Sequence, residues 1–262
     1  RQMPRQRGQA LGVHAVGGTL AEVLSPLLVG FLLAFLDWRQ VLQISVIPAA
    51  LMGIAFLFIA RRIPSRHAST VISRADLSAF ITQWHSRTGL YLIAGMAAYN
   101  MALIALMTMS PLFIQRELGY SPAQAGMAFA TAMLVGSIGQ PIVGRLSDRR
   151  GRFGIFAVSS AVAAGLAGTV ILFDTPALII TLLTMAMAVL VAIRSGVLAM
   201  AVDHAGKHEA TALGFVFVVL DGVGALGAVL AGLVGDFSLV ASFGLAGGLS
   251  LLAVGFIAAA RR

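Results

Sequence analysis

Three ionisable residues, Glu22, Arg194 and Asp221, stand deep inside long apolar runs of this chain. A charge at the centre of a spanning helix costs at least about 2.5–3.5 kcal/mol, so such residues face a protein interior, find a partner or mark the path of an ion. Glu22 lies about 12 residues into its run and Asp221 about 11 into its own, which at 1.5 Å per residue puts both roughly 16–18 Å deep, near a bilayer midplane. Arg194 falls within roughly 5 Å of Asp221 in depth, so an Arg194–Asp221 pair is geometrically allowed. Glu22 then has no partner evident in the sequence, and a lone carboxylate in a dry site is suited to take up and release a proton near neutral pH. Tyr99 and Asn100 in a third run, and Gln140 before Pro141 in a fourth, could hydrogen-bond a solute. They could equally bond across helix interfaces, the commoner use of polar side chains in membranes.

A second concentration of chemistry is the segment 144–152, Gly-Arg-Leu-Ser-Asp-Arg-Arg-Gly-Arg, which reads as a charged turn between two apolar stretches. Glycine permits a tight turn and close helix approach, the arginines suit an anionic lipid surface, and Asp148 is placed to latch onto a helix N-terminus or a neighbouring arginine. The spacing of Gly144, Leu146, Asp148, Arg149, Gly151 and Arg152 resembles the G-x-L-x-D-R-x-G-R loop of the major facilitator superfamily, which joins the second and third helices of each six-helix half. That resemblance implies a cytoplasmic gate, to which Asp203 is expected to contribute.

Composition requires a membrane to position these groups. Hydrophobic residues make up 59% of the 262, charged residues only 11%, and the mean hydropathy is +0.94; soluble domains average about 25% charged. The net charge of +8 is scattered in short segments between apolar runs, unlike the single basic module with interleaved aromatics that binds nucleic acid, so no nucleic-acid partner is expected. The absence of cysteine excludes disulfides, thiolate metal sites and a cysteine nucleophile.

Eight runs are long enough to cross a hydrocarbon core, which takes about 20 helical residues: 10–36, 40–60, 89–113, 122–144, 154–173, 177–202, 210–235 and 239–260. All basic residues except Arg39, Arg116 and Arg194 fall in alternate connections. The positive-inside rule therefore puts both ends of the segment, and the 144–152 connection, on the cytoplasmic side of a plasma (inner) membrane. Trp38 and Tyr120 on one side, Trp84 and Tyr91 on the other, sit where interfacial aromatic belts are expected.

An internal repeat sets the register. Ala10-Leu11-Gly12 recurs as Ala212-Leu213-Gly214, and Leu24, Leu28 and Gly30 match Leu226, Leu230 and Gly232. Ala60-Arg61-Arg62 recurs as Ala260-Arg261-Arg262, so the first two helices repeat the last two. Parallel repeats of this kind relate the two halves of major facilitator transporters. The resemblance implies an all-α polytopic membrane protein holding eight helices of a twelve-helix fold: residues 1–63 the last two helices of a first half, 64–88 a cytoplasmic linker, and 89–262 a complete second half. Helices one to four of the same protein are then expected as its missing partner. In the linker, Leu77, Phe80, Ile81 and Trp84 form an apolar stripe at i, i+3, i+4 and i+7, predicting a short helix lying in the membrane interface. His204 and His208 are expected to be solvated in a loop, and His14 to be an interfacial or satisfied histidine.

The first run is similar to the G-x8-G-x3-G-P-x2-G-G pattern of helix five in antiporters of the superfamily, whose places hold Gly12, Ala21, Ser25, Pro26, Val29 and Gly30. Ala21 and Ser25 keep the small size needed for close packing and Val29 does not; Pro26 bends the helix. Gly222-Val223-Gly224-Ala225-Leu226-Gly227 fits a dinucleotide fingerprint but lacks the preceding strand and following acid, and reads as helix packing, as does Gly244-x-x-x-Gly248. No hydrolase, zinc-protease or nucleotide-binding signature is present, so no enzymatic activity, cofactor or metal is expected. The reading is secondary transport of a small solute by alternating access, by proton-coupled export with Glu22, Asp221 and Arg194 in the coupling or substrate path. Symport or facilitated uptake, and a non-transporting receptor or scaffold on the same fold, are the alternatives.

Overall fold

The computed structural model describes residues 7–61, 74–205 and 209–261, with most side chains before Ala21 outside the description. Among the described residues it is entirely helical: α1 Arg7–Leu32, α2 Trp38–Ala60, α3 Arg74–Trp84, α4 Arg87–Arg116, α5 Pro122–Arg150, α6 Arg152–Thr169, α7 Pro176–Ala205, α8 Glu209–Phe217, α9 Leu226–Gly235 and α10 Leu239–Ala259. A π-helical turn, Val218–Val223, joins α8 to α9, so that Leu213–Gly235 forms one span. Among the described residues seven helices are long and apolar enough to cross a membrane; in α1 the described apolar stretch is the shorter Ala21–Leu32.

Local chemistry sets the boundaries. Asp37 caps α2 and Ser121 caps α5, each closing a capping box with a glutamine three residues on, which satisfies amides that have no partner inside the helix. The helices begin and end where apolar composition gives way to such caps and to arginine.

Helix α4 runs through the middle of the bundle, packed along α10 and touching α5, α7 and α9, while α6 lies against both α7 and α10. Its buried face carries Met96, Tyr99, Ala102, Leu106 and Phe113, which meet Leu183, Met187 and Leu190 of α7 and Phe243 of α10 in one core. Lipid is as apolar as these side chains, so close van der Waals packing rather than a hydrophobic drive holds the helices together. Alanine dominates the buried positions for that reason. Helix α1 packs on α5. In contrast, Val41 is the one buried residue described in α2, whose apolar side chains otherwise point outward.

Two packing expectations are corrected. Ala21 and Ser25 are exposed, because the face of α1 that meets α5 carries Pro26 and Gly30, one helical step away. Gly244 and Gly248 meet nothing within 4 Å of a built Cβ; the contact on α10 is Gly247, set against the backbone of Ala164 on α6. Gly12 and Leu77 fall among the side chains not described, as does His14; His208 lies outside the described residues.

Candidate functional site

Glu22, Pro26 and Gly30 recur every four residues and so share one face of α1. Gly30 and Gly126 let the backbones of α1 and α5 touch: a Cβ on Gly126 would stand 2.7 Å from the Pro26 carbonyl oxygen, and one on Gly30 3.1 Å from that of Pro122. This contact leaves Glu22 facing α7, where Arg194 Nη1 donates to Glu22 Oε1 at 2.9 Å. The two side chains are 28% and 33% exposed, Arg194 first. The result is a half-buried, charge-assisted bond between α1 and α7, the latter long and apolar enough to cross a membrane.

The Arg194–Asp221 pair that matched depth allows therefore does not form, and Glu22 is not solitary. Depth along two helices was matched, but pairing also needs the side chains to face each other. Asp221 sits in the π-helical turn, exposed, with no ion-pair partner among the described residues. The wider turn instead directs the preceding carbonyl, that of Leu220, inward, where Asn100 Nδ2 donates to it. Gly224 makes room for that amide: a Cβ there would run into Asn100 Nδ2. Gly227 continues the same close approach onto Met101, whereas Gly222 faces open space.

Tyr99 is completely buried and donates through its hydroxyl to the Leu190 carbonyl at 2.6 Å. Leu190 lies one turn before Arg194 on α7. One residue beyond the arginine, Ser195 Oγ donates to the Gln140 carbonyl at 3.2 Å. The Gln140 side-chain amide has no hydrogen-bond partner among the described residues. Arg194 is thus held between two interhelical bonds, to α4 and to α5, each worth about 0.6–1.7 kcal/mol in a membrane. Tyr99 and Asn100 act as glue between helices, and Ser195 is a contact that sequence reading did not single out.

At the arginine-rich end, the segment 144–152 is not a loop. Helix α5 continues to Arg150, and the reversal occurs at the single residue Gly151, whose φ of 91° only glycine adopts readily. Arg152, the first residue of α6, places Nε 2.6 Å from Asp203 Oδ2 and donates from Nη2 to Oδ1 at 3.3 Å, a two-pronged bond onto α7. It also approaches Asp148 Oδ1 at 3.6 Å. Gly144 lies against Ser195 Oγ, Leu146 is half-buried, and Arg149 points outward. Asp148 and Asp203 are largely exposed, at 65% and 57%, so this clasp adds about 0–1 kcal/mol to stability.

His204 is corrected from a solvated loop residue: α7 runs on to Ala205, three residues past the apolar run. Its ring packs on Trp84 at 5.0 Å, its Nε2 lies 3.3 Å from the Gln83 carbonyl, and Gln83 Nε2 donates to its carbonyl. The linker helix α3 exists, but Phe80 and Trp84 are buried against Phe215 rather than presented to lipid; Ile81 alone of the described stripe is exposed. No cluster of three His, Asp or Glu suited to a metal occurs among the described residues.

A protein of Mycolicibacterium smegmatis (strain ATCC 700084 / mc(2)155) described as an MFS-type efflux pump is 28% identical over 148 residues, covering 56% of this chain and 34% of that protein. The chain thus aligns with about a third of that relative's length. The sequence profile of the Major Facilitator Superfamily matches residues 2–228, so the chain belongs to the Major Facilitator Superfamily.

Proposed function

We propose that this chain is part of a secondary transporter that exports a small solute in exchange for protons. The observation that carries the reading is the Glu22–Arg194 ion pair, which joins α1, assigned to the first half, to α7 of the second half within the span. A proton taken up by Glu22 leaves Arg194 without its counter-charge, removes the attraction between halves and favours their separation. Solute binding and proton uptake then compete for one pair, which is the requirement for exchange. Asp221, exposed at the π turn, is the second carboxylate available to the solute path. At the basic end, taken as cytoplasmic, Arg152 with Asp203 and Asp148 forms a clasp that opens and closes with the halves. The likeness to a protein described as an efflux pump supports the outward direction.

The test is transport by the full-length protein in vesicles with an imposed pH gradient. Glu22→Gln keeps shape and hydrogen bonding but cannot ionise. It is expected to bind solute and to lose proton-driven accumulation. Accumulation with the parental pH dependence overturns the coupling role.

A further inference from the structure

Beside the clasp lies a cleft of about 610 Å³, on the order of a small-ligand pocket, between the basic ends of α4, α5, α6, α7 and α10. Three arginines line it, Arg150, Arg152 and Arg261, against two carboxylates, Asp148 and Asp203. Both carboxylates engage Arg152. Arg150 and Arg261 therefore have no acidic partner among the described residues. The Arg261 guanidinium lies 4.7 Å over the ring of Phe153, a stacking contact that occupies its face and leaves its donor edge free. Ser147 also lines the cleft; it is 2% exposed and its hydroxyl has no hydrogen-bond partner among the described residues. Leu92 and Ile257 give the cleft an apolar wall.

We propose that this cleft binds a phosphate-bearing anion, with Arg150 and Arg261 on the phosphate oxygens and the Ser147 hydroxyl donating to one of them. Guanidinium forks match phosphate oxygens two at a time, and a buried hydroxyl without a partner is suited to a ligand acceptor. The phosphate belongs either to the headgroup of an anionic phospholipid, whose chains would run along the apolar wall, or to a soluble ion. The proposal is independent of the proton-exchange reading and stands if that reading fails.

The experiment uses the full-length protein in phosphatidylcholine nanodiscs, with phosphatidylglycerol or inorganic phosphate as probe, and reads bound lipid by native mass spectrometry together with the shift in melting temperature. Phosphatidylglycerol is expected to bind in preference to phosphatidylcholine. Arg150→Gln or Arg261→Gln each weakens it about fivefold, the equivalent of about 1 kcal/mol per arginine near an anionic headgroup. Lysine at either position retains charge and gives an intermediate loss, which covers the case of a glutamine variant that fails to fold. Arg116→Gln, at the opposite end of α4, leaves binding unchanged. Stabilisation by inorganic phosphate with the same arginine dependence assigns the site to a soluble ion. Equal binding of the two lipids with no effect of phosphate, or losses no larger than that of Arg116→Gln, overturns the proposal.

Discussion

Neutralising one member of the Glu22–Arg194 pair leaves the other charge inside the span without a partner, and that species is the costly one. At 2.9 Å the gross attraction is roughly 6 kcal/mol for an effective dielectric of about 20. Both partners lose hydration to form it, and each keeps about a third of its surface open, so the net cost of a single neutralisation falls to about 2 kcal/mol, below the insertion-scale figure of about 2.5–3.5 for a fully lipid-bound charge. Glu22→Gln and Arg194→Gln should each destabilise by that amount. The double variant, left with two neutral amides facing each other, should lose only about 1 kcal/mol, giving a coupling of about 3 kcal/mol. Reversible unfolding in mixed micelles measures all three variants. Losses that add within about 0.5 kcal/mol would refute the pairing. The same cycle run on Arg194 and Asp221 should be additive, since those residues do not meet.

Further outcomes follow from other contacts. Gly224→Ala should destabilise by about 1–3 kcal/mol through overpacking onto Asn100, and Asn100→Ala in the same chain should recover part of the loss in a thermal melt. Gly126→Ala should loosen α1 from α5, read as faster proteolysis of α1 with the α4–α10 core retained. Asp203→Asn should change stability by less than about 1 kcal/mol, given its exposure, yet lower transport in vesicles if the clasp with Arg152 operates as a gate; unaltered transport kinetics would remove that role. Trp84→Ala should release α3 and speed cleavage of the linker, with little change in the melting of the bundle.

The spans were legible because a hydrocarbon slab leaves few choices: runs of about 20 apolar residues bounded by arginine and caps read directly as crossing helices. Helix direction about its own axis was less legible. Glu22 and Asp221 have nearly equal depth, and depth alone offered Arg194 to either; the π-helical turn, which no propensity signals, turns the Asp221 side chain away and the Leu220 carbonyl inward. His204 was misread because hydropathy ended the helix at 202, whereas α7 continues for another turn on contacts with α3. The stripe of Phe80 and Trp84 was visible, but an apolar stripe does not say whether lipid or Phe215 will cover it.

One consequence concerns motion. Because α5 runs unbroken from Pro122 to Arg150, Asp148 is not on a flexible tether but at the far end of a rod whose other end is gripped by α1 through Gly126. The rod between those residues is about 33 Å long at 1.5 Å per residue. A tilt of about 5° at the grip would sweep Asp148 through roughly 3 Å, as long as the contact it makes with Arg152. Were α5 to tilt as one body, an event too small to notice at the α1 contact would arrive at the opposite end of the helix as a made or broken bond.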